Sequence, residues 1–268
     1  MERNEVETKM DNPIQSMKSG HVVTIRMNRP RALNAINLAM IEMIDAALID
    51  AARDPDVRVL VITGADTAFC VGADIRELGQ WQHDPSLRER FYTLAPEMFR
   101  KLRDFPHPVI AAVNGLTVAG GFELGCYADL IIAAEDAMIG DGHANFVGFG
   151  PVSAVLAPLM MPGKKVAELL FTGDLWTARD MAEAGFVNRV VPRADLMDAV
   201  QEIAQKIASK QPLALTAAKA LLRKAGSGDS ATLLADAFES AQRIFETEDF
   251  AEGLKAFEEK RRPVFKGR

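Results

Sequence analysis

The sequence predicts an α/β fold. Three observations carry this: apolar runs of strand length, small-residue loops that follow them, and helical patterns after the loops. The runs are "VRVLVIT" (57–63), "HPVIAAVNG" (107–115) and "DLIIAA" (129–134), nearly continuous in apolar residues, as in strands covered on both faces. No repeat of fixed period accompanies the alternation.

The elements follow in order. Residues 1–18 read as a polar arm, in part a leading strand. "HVVTIRM" (21–27) is rich in β-branched residues and predicts a strand, with "NRPRALNAIN" as the loop after it. Asn37 is a good N-cap for a helix to Arg53, with Ile41, Ile44 and Leu48 on one face. "VRVLVIT" is the next strand, "GADTAFCVGAD" a loop, and Ile75–Arg103 a long amphipathic helical region. The strand and loop at 107–115, a helix opening at "GGFELGCY" (120–127), the strand "DLIIAA" and the short strand "AMIG" (137–140) complete the pattern. Beyond "VNRVVP" (187–192) the chain turns helical. Leu196, Val200, Ile203 and Ile207 form one apolar stripe. Pro212 starts a second helix that Gly226 stops. Leu234, Phe238, Ala241 and Phe245 form a third stripe, and Phe250, Leu254 and Phe257 a fourth. The expected division is a core of residues 1–193 and a helical region of residues 194–268, which caps the sheet or packs between subunits.

Composition narrows the function. The chain has 268 residues and a net charge of −6, so no general basic surface recruits nucleic acid or a membrane. The two cysteines, Cys70 and Cys126, are far apart and outside any CxxC pattern, which argues against a disulfide framework or a zinc site. The polar N-terminus has no apolar core of a signal peptide, and no run is long enough to span a bilayer. A cytoplasmic protein without a metal is expected. GxSxG and HExxH are absent, "GFG" (148–150) lacks the rest of GxGxxG, and "PGKK" (162–165) lacks the upstream glycine of a P-loop.

Two junctions stand out. Val71-Gly72-Ala73-Asp74 and Ala119-Gly120-Gly121-Phe122-Glu123 each follow a buried strand and open a helix. At such places backbone N–H groups lack helical partners and missing Cβ atoms admit a ligand. They are either tight turns or the two halves of an oxyanion hole. Glu123, between Phe122 and Leu124, is either a surface acid at a helix start or a buried general acid or base. The stretch "IGDGHANFVGFG" (139–150) gathers Asp141, His143 and Asn145 between apolar segments, as a polar turn or as part of a site.

Together with "MNRPRALNAIN" (27–37), "ITGADTAFCVGADIREL" (62–78), "PVIAAVNGLTVAGGFELGCYADLIIAAEDAMIG" (108–140), "FTGDLWTARDMAEAGFVNRVVP" (171–192) and "FEEKRRPVFKGR" (257–268), these junctions resemble the crotonase superfamily, the enoyl-CoA hydratase/isomerase family, over nearly the whole chain. The resemblance implies a crotonase-like spiral of strand–strand–helix turns with a C-terminal helical trimerisation region, assembled as a homotrimer or a hexamer of paired trimers. It implies an acyl-CoA thioester as substrate and no metal or redox cofactor. The oxyanion hole would be the N–H groups of Ala73 and Gly120. The CoA chain would run along Arg31, Ala32, Leu33, Asp74 and Ile75. Lys260 and Phe265 would contact the nucleotide, often from a neighbouring subunit; the last nine residues hold five Lys/Arg and no acid, suited to phosphates or merely solvated.

Hydratases of the family use two glutamates. The first matches Glu123. Counting from Gly140, the position of the second is His143. The candidates for the missing acid are therefore His143 and Asp141, with Asn145 reached by a one-residue shift. The expected reaction is addition of water to a 2-enoyl-CoA. The alternatives are a double-bond isomerase with Glu123 alone, another reaction of the family such as C–C cleavage or decarboxylation, or a non-catalytic acyl-CoA binder. Trp81, Tyr92 and Met98 are candidates for the acyl pocket wall, and equally for core or interface.

Overall fold

The computed structural model describes residues 12–81, 83–145, 148–224, 247–261 and 263–268. The stripe from Leu234 to Phe245, the stop at Gly226 and the side chains of Leu254 and Phe257 lie outside what is described.

The leading strand is real. β1 (Ile14–Ser19) and β2 (Val22–Met27) form an antiparallel hairpin that turns at Gly20, where φ is +58°. α1 (Leu38–Arg53) starts where expected, with the Asn37 side chain accepting the Met40 N–H, and buries Ile41, Ile44 and Leu48. β3 (Val59–Gly64), β5 (Val109–Val113), β7 (Leu130–Ala134) and β10 (Arg189–Val191) continue β2 in parallel, giving a six-stranded sheet in the order β1-β2-β3-β5-β7-β10.

Both faces of this sheet are covered, which explains the unbroken apolar runs. Leu60 and Ile62 face the main core, while the alternating Val59 and Val61 meet α8 (Leu196–Ala208) on the other side. The first helix of the C-terminal region thus caps the sheet of its own chain. Its buried stripe is Leu196, Val200, Ala204 and Ala208; the predicted Ile203 and Ile207 are only partly buried at its border.

Of the second sheet, only the short strand "AMIG" is legible in the sequence. β4 (Ala68–Cys70), β6 (Leu116–Val118) and β8 (Met138–Gly140) pair in parallel, and β9 (Trp176–Thr177) joins β8 antiparallel. β4 falls in a segment that the sequence assigns to a loop and β6 in one it leaves unassigned, because three residues are too few to show alternation. The helical region at Ile75–Arg103 is two helices, α2 (Ile75–Gln80) and α3 (Pro85–Arg103). Asp84 accepts the Ser86 N–H and Pro85 occupies the first position, so α3 starts anew.

Each turn of the chain now reads as long strand, short strand, helix. β3, β4 and α2–α3 form one turn; β5, β6 and α4 (Gly120–Tyr127) the next; β7, β8 and α5 (Pro151–Leu156) the third. The turns stack as a spiral, since both β3-β5-β7 and β4-β6-β8 are neighbours in their sheets. α6 (Gly163–Thr172) and α7 (Ala178–Glu183) follow, then α9 (Pro212–Lys224), which begins at the predicted proline, and α10 (Glu248–Glu258). Among the described residues, no helix is long and apolar enough to cross a membrane.

Candidate active site

The ends of β4, β6 and β8 lie side by side, and the loops that leave them meet. Ala73 follows β4, Ala119 and Gly120 follow β6, and Asp141 to His143 follow β8.

The first two loops aim backbone N–H groups. Ile36 donates its N–H to the Gly72 carbonyl (2.7 Å) and accepts the Asp74 N–H (2.8 Å). This parallel bridge engages the groups on either side of Ala73, so the Ala73 N–H faces away from Ile36. Gly120 opens α4, where an N–H has no carbonyl one turn earlier. The loops touch at Gly72, whose φ is +84°; a Cβ there would lie 2.8 Å from Ala119 Cβ and 2.9 Å from Gly120 N. Ala119 itself holds φ 52° and ψ −119°, a conformation that costs a non-glycine residue about 1–3 kcal/mol. Its N–H donates to the Asp141 carbonyl (2.7 Å), tying the second loop to the third.

A cleft of about 470 Å³ opens over these loops. Arg31, Ala32, Ala73, Asp74 and Ile75 line it, as does His143. Leu33 is next to them, 41% exposed, in the left-handed conformation. Asp74 accepts the Arg76 N–H at the start of α2 and pairs with Arg29 at 2.7 Å. Burial works to raise the Asp74 carboxyl, but Arg29 and the local N–H groups hold it below its ordinary value. Arg29, which sequence reasoning passed over, also donates to the Ala35 carbonyl and so staples the cleft wall.

Lys260 and Phe265 are not brought to this cleft within one chain. Lys260 is exposed, and the Phe265 carbonyl accepts from Arg58 beside the β1–β2 turn. Met98 is fully buried in the core, and Trp81 and Tyr92 cluster with Phe91 at ring separations of 5.2–6.0 Å. None of these three lines the cleft. Both cysteines are buried free thiols, and burial pushes Cys70 up to about 12, which leaves it inert.

Glu123 is no surface cap. It is 6% exposed, and its Oε1 accepts the N–H groups of Val152 (3.1 Å) and Ser153 (3.5 Å) at the start of α5. Burial pushes its carboxyl above the ordinary value, and the charge of His143 and the two N–H groups offset this only in part.

His143 and Asp141 form a pair. His143 Nδ1 lies 2.9 Å from Asp141 Oδ1, and the His143 backbone N–H donates to Oδ2 at 3.3 Å. Asp141 is buried behind the imidazole, which leaves Nε2 as the ring nitrogen free of this bond. Burial alone would lower the imidazole and raise the carboxyl. The bond between them outweighs burial, with the Ser153 hydroxyl adding to it on the carboxylate side, so His143 is raised and Asp141 lowered from their ordinary values. Asn145 is turned elsewhere, donating to the Gly173 carbonyl (2.9 Å).

Two residues that the sequence did not single out complete the arrangement. A Cβ on Gly150 would lie 2.6 Å from Asp141 Oδ1, 2.7 Å from His143 Nδ1 and 2.7 Å from Ser153 Oγ. A methyl there would force those side chains to move. Ser153 is wholly buried, and its hydroxyl, without a partner of full hydrogen-bond geometry among the described residues, lies beside the Asp141 carboxylate and helps to lower it. Neither is readable without knowing that α5 folds back over the Asp141 loop.

The family described as enoyl-CoA hydratase/isomerase matches residues 17–268. The short-chain-enoyl-CoA hydratase of Clostridium acetobutylicum is 33% identical over 249 residues, 91% of this chain and 94% of its own. The 2,3-dehydroadipyl-CoA hydratase of Escherichia coli K12 is 34% identical over 249 residues, 92% of this chain and 96% of its own. The crystal structure of an enoyl-CoA hydratase from Bacillus anthracis superposes with a TM-score of 0.91 at 33% identity, covering 96% of this chain and all of that one. With its spiral of strand–strand–helix turns, this chain is a crotonase-fold acyl-CoA enzyme and belongs to the enoyl-CoA hydratase/isomerase family.

Proposed function

We propose that this enzyme adds water to a 2-enoyl-CoA, with Glu123 and His143 as its acid–base pair. The observation that carries the reading is the buried Asp141 bonded to the imidazole that lines the cleft. The thioester oxygen accepts the N–H groups of Ala73 and Gly120. Each contributes roughly 3 kcal/mol as negative charge develops on that oxygen. The enolate so stabilised needs neither a metal nor a redox cofactor; coenzyme A enters as part of the substrate.

The electrostatics divide the labour. Asp141 favours the charged form of His143, and in that form the imidazolium delivers a proton from Nε2 to the α-carbon. Glu123, ionised, takes the proton of the water that attacks the β-carbon. The raised carboxyl makes Glu123 a stronger base than an exposed glutamate. Asp141 is a positioning residue. An isomerase working through Glu123 alone would leave the Asp141–His143 pair without a task, and a simple binder would need neither.

The CoA chain follows Arg31, Ala32, Leu33, Asp74 and Ile75. Lys260 and Phe265 meet the nucleotide from a neighbouring copy in a homotrimer or hexamer, since their own chain keeps them away from its cleft. A cytoplasmic location suits the two free, buried thiols. Loss of the conjugated-thioester absorbance of crotonyl-CoA or a longer 2-enoyl-CoA tests the reaction. Hydration at any chain length supports it. A 3-enoyl-CoA that gains conjugation, with no hydration of 2-enoyl substrates, assigns isomerisation instead.

A further inference from the structure

Ser153 is the unexplained polar group of this centre. Its hydroxyl is wholly buried and has no partner of full hydrogen-bond geometry among the described residues, yet it sits close enough to the Asp141 carboxylate to help hold it below its ordinary value. Buried hydroxyls are nearly always paired, and an alanine would fill the same place without an orphaned donor. The orphan is also aimed. Gly150 lacks a Cβ, and over that gap Ser153 Oγ converges with Asp141 Oδ1 and His143 Nδ1.

We propose that Ser153 is a positioning residue for the Asp141–His143 pair: a donor held beside the Asp141 carboxylate that supports it whenever His143 gives up its proton. While the imidazole is charged, Asp141 has a strong partner and the hydroxyl is in reserve. Once His143 is neutral, the buried carboxylate keeps a weaker hydrogen bond and still carries its full charge. A second donor matters most at that moment. The hydroxyl therefore favours the neutral-imidazole state, which the acid must pass through in every turnover.

Other groups near Ser153 do not supply this donor. From α4, Glu123 is an acceptor, taking the Ser153 backbone N–H, and Cys126 is a buried thiol whose burial pushes its titration up. From the β8 loop, the donors to Asp141 are the ring and the backbone N–H of His143.

The chemistry of turnover rests on the hydratase reading, so the test begins in the resting protein. Ring titration of the four histidines is followed by NMR in the wild type, Ser153→Ala, Asp141→Asn and the double variant. In Ser153→Ala the His143 midpoint is expected to rise by roughly half a pH unit, with His21, His83 and His107 unmoved. In the Asp141→Asn background the same change should have no effect. An unmoved His143 midpoint in Ser153→Ala, or an equal shift without Asp141, overturns the proposal. Ser153→Cys, close in size and a weaker donor, carries the same titration test if alanine disturbs the fold. Where crotonyl-CoA is hydrated, Ser153→Ala should lower kcat about tenfold with KM within about twofold. Absence of any hydration removes only this last arm and leaves the titration result to stand.

Discussion

His143 Nδ1 lies 2.9 Å from Asp141 Oδ1, with the carboxylate buried behind the ring and the ring lining the cleft. The pair is built into one short loop, because the same Asp141 also accepts the His143 backbone N–H. A loop that supplies both an imidazole and its counter-charge does not depend on a second element to hold the acid.

The pH dependence follows from the two shifts. Glu123 must be ionised, and its carboxyl is raised above 4.5; His143 must be protonated, and its imidazole is raised above 6.5. A plot of kcat/KM against pH should rise through a midpoint above 4.5, as Glu123 loses its proton. It should fall through one above 6.5, as His143 loses its own. A profile flat from pH 4 to pH 9 would refute the assignment of both groups.

Asp141→Asn removes the anion that keeps His143 charged. Burial then dominates, so the alkaline midpoint should move down. Turnover at neutral pH should fall roughly 10- to 100-fold, with KM nearly unchanged. A matching loss in KM would place Asp141 in substrate binding instead.

Glu123→Gln keeps the shape of the side chain and removes its basicity. Hydration should drop roughly 100-fold or more while thermal stability holds or rises, since a buried charge is gone. Turnover at the wild-type level would end its role as base.

Gly150→Ala tests the crowding over the pair. The new methyl would meet three polar atoms at 2.6–2.7 Å, so the pair or α5 must shift. We expect destabilisation of about 1–3 kcal/mol by denaturant melting and a loss of turnover larger than that of Ser153→Ala. A protein of full stability and activity would show that the loop yields freely.

Lys219 concerns the fold alone. Its buried ammonium meets Asp129 at 2.7 Å and donates to the His107 carbonyl at 2.8 Å, fastening α9 to the sheet; burial lowers its titration. Lys219→Met should destabilise by about 1–3 kcal/mol, less than a fully broken buried pair, because Arg223 still meets Asp129. Activity measured below the melting range should be retained.

Much of this was legible in the sequence. The strands at 57–63 and 129–134 announced themselves because both of their faces are buried, and Asn37 marked the start of α1 by its capping chemistry. Glycine and small residues flagged the loops at Ala73 and Gly120 through the backbone positions they permit. The hidden parts share one cause. β4 and β6 are too short for periodicity, and Gly150 and Ser153 act only through residues distant along the chain. For Met98 and Trp81 the sequence leaves pocket wall, core and interface open, a choice that only packing makes: one enters the core, the other an aromatic cluster.

The spiral stations one loop per turn at the ends of β4, β6 and β8. The first two present backbone N–H groups, whose character hardly depends on side chains. The third presents an imidazole with its own counter-ion, which joins the carboxyl of Glu123 on α4. On the proposed reading such a scaffold works like a lathe with a fixed chuck and a replaceable bit: the main chain would clamp the thioester, and one short segment would set what partners Glu123. Grafting residues 141–150 onto a two-glutamate relative should therefore transplant the histidine's pH signature without rebuilding the grip on the thioester.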